Sequence, residues 1–243
     1  MKQMNPAALS ALALALVAGS AHAQVINGSF SGLAGWATAG DAASVATGGT
    51  HLVLTTAFSD GSDDDTTDGK NHNVSHSDPW VTGGGPGTLE GFVGVAGGTF
   101  SPVPGSLPQA YEGSAALQTF TVAANSSLSF QWRFGTTETD PSLADNAFVV
   151  IDGKVITLTD ALPTTTGTDY GLETSWANWS EALGAGTHTI AFGVVDVGSS
   201  GDSSALSIGD VALSVSSVPE SPTLAMFGAG LGLLAIARRR RDA

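Results

Sequence analysis

Residues 126–134 read Ser-Ser-Leu-Ser-Phe-Gln-Trp-Arg-Phe, and this stretch decides the fold class. Every second side chain in it is large and apolar, namely Leu128, Phe130, Trp132 and Phe134. Successive side chains of a β-strand point to opposite faces. The alternation therefore predicts a strand with one buried face and one solvated face.

The same alternation recurs on both sides of this stretch, around Leu52 and Leu54 and in residues 187–197. Residues 148–151 form a continuous apolar run of strand length. Helical periodicity is nearly absent, and 32 glycines with only 12% charged residues favour strands and loops. We therefore predict an all-β protein, with a single jelly-roll-like β-sandwich over residues 24–217.

Three local features refine this prediction. Asp152-Gly153 stands between two apolar runs and predicts a hairpin turn. In the last strand the large apolar side chains stand at even-numbered positions up to Ile208 and at odd-numbered positions from Val211 onward. This change of parity predicts a β-bulge at Gly209-Asp210. One short helix is predicted at residues 88–95.

The charge of the chain is unevenly placed. The chain has 22 acidic and 8 basic side chains, a formal net charge of −14. Because five of the basic groups stand near the two ends, residues 24–218 have three basic against 20 acidic side chains, a net charge of −17. Such a surface repels polyphosphate, which excludes nucleic acid as a partner. The absence of cysteine excludes disulfides, thiolate nucleophiles and Cys-ligated metals.

Residues 1–23 have the three parts of a secretory signal peptide. A lysine at position 2 is followed by an apolar segment and then by the small-x-small sequence Ala21-His22-Ala23. We expect export and cleavage by signal peptidase after Ala23, so that Gln24 becomes the first residue of the mature chain.

The other end of the chain predicts a membrane anchor. Residues 223–237 form an apolar run that only glycines interrupt, and four basic residues follow it: Arg238, Arg239, Arg240 and Arg241. As a helix this run is about 22 Å long, against a hydrocarbon core of roughly 30 Å, so the arginines must help it to span. The positive-inside rule puts the C-terminus in the cytoplasm and the preceding chain outside it.

A Pro-Glu motif precedes this short transmembrane helix, in the order Val218, Pro219, Glu220, Ser221, Pro222. With its three parts in this order, the segment 218–243 resembles the PEP-CTERM sorting signal of Gram-negative bacteria. In that family a proline most often follows the Glu directly, where Ser221 stands here. The resemblance implies a transient anchor in the inner membrane, recognition by an exosortase, and cleavage near the motif with delivery to the cell surface. An anchor that is never cut remains the alternative.

Several blocks of residues 24–215 carry a second resemblance, among them 112–122, 145–153 and 186–196. They are similar to the extracellular domain that often precedes this sorting signal. The opening Asn27-Gly28-Ser29-Phe30 and the closing Asp210-Val211 also look like the ends of galactose-binding-like jelly rolls. In that group an acidic residue after the Phe helps to hold a structural calcium, whereas Ser31 stands there in this chain.

The densest polar segment is residues 59–80. Asp64, Thr66 and Asp68 have the alternate-oxygen spacing of a calcium-binding loop, but Ser75 stands where a Glu would complete the pattern. The segment is predicted to be a loop that either holds a structural calcium or is only solvated. No other cofactor is expected.

Histidines raise the question of catalysis. His72 and His76, with Asp78 nearby, suggest the zinc site of a metal-dependent hydrolase, but four-residue spacing aligns two imidazoles only in a helix, which the neighbouring Asn, Ser and Pro disfavour. The sequence has no Gly-x-Ser-x-Gly elbow. His188 shares the parity of Ile190, which predicts a packed, hydrogen-bonded histidine. We assign no catalytic residue and predict that the chain is not an enzyme.

Trp176 and Trp179, with Tyr170 nearby, either form an exposed stacking face for sugar rings or close one end of the core. The leading hypothesis is an exported, non-enzymatic protein of the cell surface, extracellular matrix or biofilm, which acts by adhesion or by contact with extracellular polysaccharide. The alternative is a carbohydrate-binding module with a defined glycan site, and a metal-dependent hydrolase comes third. During export the expected partners are signal peptidase and exosortase.

Overall fold

The computed structural model describes residues 24–56, 72–75, 87–100, 109–122, 124–167, 170–198 and 202–215. Four sequence predictions lie outside these residues: the signal peptide, the calcium loop with Asp64, Thr66 and Asp68, the histidine His76, and the whole sorting segment 218–243. Among the residues that are described, no helix has the length and apolar character needed to cross a bilayer.

Nearly all regular structure in the described chain is β-strand. One short α-helix, α1 (Leu89–Val93), and one 3-10 turn (Pro141–Leu143) accompany the strands. In chain order the strands are β1 (Ala37–Ala39), β2 (Asp41–Val45), β3 (His51–Thr55), β4 (His72–Asn73), β5 (Ala110–Val122), β6 (Ser126–Thr136), β7 (Asn146–Ile151), β8 (Lys154–Thr159), β9 (Thr165–Thr166), β10 (Leu172–Glu173), β11 (Ala177–Leu183), β12 (Gly186–Val197) and β13 (Ser204–Val215).

The strands form two antiparallel sheets that pack face to face. Sheet 1 has the order β1-β5-β12-β7-β8, and β4 also pairs with β5. Sheet 2 has the order β2-β3-β13-β6-β10-β9. Strand β11 pairs with the same edge of β6 as β10, but β10 pairs at residues 135–136 and β11 pairs at residues 126–132. The all-β prediction and the two-sheet sandwich are confirmed.

The main core lies between the sheets and consists of alternate side chains from each strand. In β6 the buried members are Leu128, Phe130 and Phe134, while Trp132 packs against the core from its margin. Phe192 of β12 meets Phe130 edge-on, with ring centroids 4.8 Å apart. Full burial of such a side chain stabilises the fold by about 1.5–3 kcal/mol. Six more apolar core residues are Leu52, Leu54, Ile190, Val194, Leu206 and Ile208.

Sheet 1 is covered on its outer face as well. Leu89 and Val93 of α1 pack there in a second apolar cluster, and the Phe100 ring packs at a tilt against Phe148 with ring centroids 4.4 Å apart. Helix α1 begins at Thr88, whose Oγ1 accepts a hydrogen bond from the amide of Gly91. Burial on both faces explains the continuous apolar run at residues 148–151.

The predicted local features are present. Asp152 and Gly153 have φ angles of 51° and 78° and connect β7 to β8 in a two-residue turn. The register between β13 and β6 shifts between Gly209 and Ala212, which is the predicted bulge. The predicted helix at 88–95 is observed as α1. Sheet 2 carries polar side chains on the outer face of β6, and the candidate site lies on that face.

Candidate functional site

Trp176 lies on the outer face of sheet 2, immediately before β11. Its side chain is 41% exposed, and among the described residues only it and Ile26 are large apolar side chains with high exposure. A side chain built at Gly209 of β13 would meet the Trp176 ring at 3.8 Å, so the ring packs on bare backbone in the middle of the sheet. Trp176 is therefore exposed on a rigid support.

Two side chains from other strands fix the orientation of this ring. The imidazole of His51 meets it edge-on, with centroids 5.7 Å apart and an interplanar angle of 82°. The guanidinium of Arg133 lies 5.6 Å from the ring centroid, a cation–π distance. Arg133 is itself held by Glu173, with Nη1 3.3 Å from Oε2. The charge of Arg133 is therefore already paired.

Two amides stand beside the ring. Gln131 of β6 and Asn178 of β11 are opposite each other, and the Gln131 Nε2 donates to the Asn178 Oδ1 over 3.1 Å. This bond uses one donor and one acceptor, which leaves the Gln131 oxygen and the Asn178 nitrogen for a ligand. We call the surface formed by Trp176, His51, Arg133, Gln131 and Asn178 the Trp176 face.

A shallow groove of about 310 Å³ adjoins the Trp176 face at the bulge of β13. This volume is at the lower end of the range for small-ligand sites. The lining residues come from β6, β11 and β13, and they are Ser129, Phe130, Gln131, Asn178, Trp179, Ser180 and Asp210. Of these, only Asp210 has a titratable side chain.

The structure separates the two tryptophans that the sequence grouped together. Trp179 is partly buried against the core and stacks on Phe130, with ring centroids 4.8 Å apart. Residues at an odd spacing point to opposite faces of a strand, so Trp176 and Trp179 do not form one stacking face. Tyr170 does lie on the outer face, because a side chain at Gly135 would meet its ring at 2.8 Å.

The structure describes three of the histidines, and two of them bear on the sequence predictions. His188 is packed and hydrogen-bonded, as its parity predicts: Nδ1 lies 2.7 Å from Asp152 Oδ2, and Nε2 lies 3.0 Å from the Gly184 carbonyl oxygen. His72 is 3% exposed in β4, paired with Gly113 of β5, while His76 and Asp78 lie outside the described residues.

His51, Arg133, Gln131 and Asn178 were missed by the sequence analysis. Their signal is parity, since each has the opposite parity to the core residues of its strand, such as Leu52 and Leu54 in β3. Parity tells which face a side chain occupies, but only the strand order shows that β3, β6 and β11 bring these four together.

No protein-family model and no curated protein matches the sequence. Among solved structures, the K3 cleaved adhesin domain of Lys-gingipain from Porphyromonas gingivalis is similar at 12% identity and a TM-score of 0.42, with 79% of this chain and 98% of that chain covered. A family 35 carbohydrate binding module from Cellvibrio japonicus is similar at 14% identity and a TM-score of 0.26, with 46% and 73% covered. One from Clostridium thermocellum has 13% identity and a TM-score of 0.25, with 44% and 82% covered. Likeness at this level does not define a family or a ligand for this chain.

Proposed function

We propose that this chain is an exported, non-catalytic protein whose jelly-roll-like sandwich contacts extracellular polysaccharide through the Trp176 face. The observation that carries the proposal is the exposed Trp176 ring, held over Gly209 by His51 and Arg133. Such contact would let the protein act in adhesion or in a biofilm matrix.

The chemistry of the face suits a sugar. The ring of a hexose has an apolar C–H side that can stack on an indole, while its rim of hydroxyl groups needs donors and acceptors. The Gln131 oxygen and the Asn178 nitrogen supply one of each beside the ring. Because Trp176 is already fixed by its neighbours, little side-chain entropy is lost when a ligand binds.

Charge favours a neutral glycan over an acidic one. Residues 24–218 have a net charge of −17, which repels uronic acids and sulfated sugars at a distance. Arg133 is the basic residue of the face, and its charge is paired with Glu173. The proposed ligand is therefore a neutral hexose polymer.

The absence of catalysis is part of the proposal. Among the described residues that line the groove, Asp210 is the single titratable one, whereas glycoside hydrolysis uses a pair of carboxyl groups. His51 has its Nδ1 2.8 Å from the Gly49 carbonyl oxygen, so that nitrogen is engaged by backbone.

Export and sorting are proposed from the two ends of the sequence. The signal peptide at residues 1–23 and the resemblance of residues 218–243 to a PEP-CTERM signal support delivery by signal peptidase and an exosortase in a Gram-negative bacterium. The Arg-capped run at 223–237 supports a transient stay in the inner membrane.

Binding to immobilised neutral polysaccharides tests this function. We expect Trp176→Ala to weaken binding by about tenfold or more, since an exposed aromatic anchor at the centre of a site contributes most of the affinity. The matched control is Ile26→Ala, which removes the other exposed large apolar side chain, 59% exposed. Equal binding by wild type and Trp176→Ala would contradict the proposal, and so would an equal loss in the Ile26→Ala control.

The groove favours a second candidate, a carbohydrate-binding module with a defined glycan site. In that case a short oligosaccharide competes with the polymer, and Gln131→Ala weakens binding as much as Trp176→Ala. If the face binds only extended polymer, a short oligosaccharide fails to compete and the first candidate is favoured.

A further inference from the structure

Acidic side chains gather inside the sandwich at one end of sheet 1. Asp196 stands in a bulge of β12. Val195 before it pairs with Gly113 of β5, and Val197 after it pairs with Ala110, so Asp196 lies opposite the stretch of β5 that contains Glu112. On its other side, Val195 pairs with Asn146 of β7, which puts Asp145 next to Asp196. The strand order therefore puts Asp196 next to Asp145 on one side and near Glu112 on the other.

These carboxylates point between the two sheets. Asp196 has the parity of the core residues Phe192 and Val194 of its strand, and Asp145 has the parity of Ala147. Ser204 of β13 in sheet 2 lies close enough to Asp145 to influence its pKa, although the Ser204 hydroxyl donates to Thr136 Oγ1 at 2.7 Å, so the cluster faces sheet 2. Glu138 and Asp202 add further negative charge nearby.

Two carboxylate oxygens in this cluster are buried and have no hydrogen-bond partner. Asp145 is 3% exposed, and its Oδ1 accepts from the Val197 amide at 2.7 Å while its Oδ2 has no partner. Asp196 is 1% exposed, and its Oδ1 has no partner. Buried oxygens of this kind require a proton, a water or a cation.

The electrostatics show how unfavourable two bare charges are at this place. Burial raises the pKa of Asp145 to about 7. Burial and the negative charges of Asp145 and Glu112 raise the pKa of Asp196 to about 10. The two basic residues in the described part of the chain lie elsewhere: Arg133 pairs with Glu173 on the outer face of sheet 2, and Lys154 is exposed on β8.

We propose that Asp145 and Asp196 bind a calcium ion between the sheets. Calcium is a hard cation that takes six to eight oxygen ligands, including carboxylates, carbonyls and waters. Among the described residues no three His, Asp or Glu side chains are arranged to hold a metal, so the ion would take two carboxylates and complete its shell with other oxygens. This site is separate from the Trp176 face, which lies on the outer face of sheet 2.

Thermal unfolding of the purified protein tests the site. We expect about 10 mM CaCl2 to raise Tm by roughly 5–10 °C over the EGTA-treated protein, if the dissociation constant is on the order of 10⁻⁴ M as in extracellular modules. Asp196→Asn should abolish this shift. In EGTA at neutral pH the same variant should unfold at a higher temperature than wild type. The raised pKa means that Asp196 must take up a proton when the chain folds, and Asn removes this cost.

Three controls make the outcome decisive. Asp145→Asn should also lose the calcium shift, whereas Asp64→Asn and Asp160→Asn should keep it. Calorimetric titration of the wild-type protein with CaCl2 should show one site whose heat disappears in Asp145→Asn. The proposal is overturned if calcium leaves the wild-type Tm unchanged, if Asp196→Asn keeps the shift, or if Asp64→Asn alone removes it. An unchanged wild-type Tm would mean that Asp145 and Asp196 share a proton in place of a calcium ion.

Discussion

His188 and Asp152 form an ion pair that links β12 to the turn between β7 and β8, with 2.7 Å between Nδ1 and Oδ2. The hydrogen bond that His188 donates to Asp152 raises the pKa of His188 despite partial burial, and the Gly184 carbonyl oxygen adds to the effect. For Asp152, partial burial alone would raise the pKa, but the hydrogen bonds from His188 and Thr189 and the His188 charge together lower it. Each residue thus favours the charged form of the other.

The stability from this pair should depend on pH. A raised His188 pKa stabilises the fold below the unfolded value of about 6.5, and this stability is lost as pH rises through the folded pKa. A lowered Asp152 pKa stabilises the fold above about pH 3.9, and that stability is lost as pH falls. We expect His188→Gln to cost about 0.2–1 kcal/mol near pH 5.5 and less near pH 8.5.

Urea unfolding of wild type, His188→Gln, Asp152→Asn and the double variant measures this coupling. Asn tolerates the positive φ of 51° at position 152, so Asp152→Asn removes the charge without straining the turn. The control is Asp160→Asn, which removes an exposed carboxylate just after β8. Its effect on the free energy of unfolding should be the same at both pH values. A coupling energy that is the same at both pH values would rule out the ion pair.

Trp176 and Trp179 should differ in what they do. Trp179 stacks on Phe130 at the margin of the core, so Trp179→Ala should lower the free energy of unfolding by about 3 kcal/mol, near the low end for such truncations. Trp176→Ala removes an exposed ring, and its cost should stay under about 1 kcal/mol. Denaturant titration of the two variants compares them directly. Comparable losses would mean that Trp176 is structural.

At the scale of elements, the N-terminal turn is joined to the bulge of β13. The Val211 amide donates to the Gly28 carbonyl oxygen at 3.0 Å, and a Cβ at Gly28 would lie 1.9 Å from the Val211 carbonyl oxygen. Asn27 and Phe30 have φ angles of 52° and 50° in the same turn. Gly28 is therefore needed for the close approach of two backbones, which side-chain movement cannot relieve.

Gly28→Ala should destabilise the domain by about 1–3 kcal/mol, because the turn must move away from the bulge. Gly184→Ala is the matched control, since a Cβ at Gly184 has nothing within 4 Å. Thermal unfolding of the two variants gives the comparison. A Gly28→Ala variant as stable as Gly184→Ala would show that the contact at Val211 is not tight in solution.

Strand pattern was the most predictable part of this molecule, and the reason is physical. Alternation in β6 and the parity change at the β13 bulge depend only on the two-residue period of a strand. Asp196 continues the inward parity of Ile190, Phe192 and Val194, so its burial was available from the sequence. Its closeness to Asp145 was not, because that contact depends on β12 lying beside β7.

At the scale of the whole molecule, the two sheets are unlike in what covers them. Helix α1 and the segment around Phe100 cover the outer face of sheet 1, whereas the outer face of sheet 2 presents the Trp176 face. A ligand as large as a polysaccharide needs such an open surface. The net charge and the length of the chain do not distinguish these two faces, because neither depends on which side of a sheet a residue occupies.

The two ends of the sequence lead to a last prediction, on the form of the protein at the cell surface. If signal peptidase and an exosortase act as proposed, intact-mass analysis of surface material will find a chain that begins at Gln24 and lacks Arg238, Arg239, Arg240 and Arg241. Glu220→Ala should leave the arginines attached and keep the chain in the inner membrane, because it changes the motif and spares the apolar run. Glu181→Ala, a substitution far from the motif, should be processed normally. Arginines retained on the wild-type surface form would instead mean a permanent anchor.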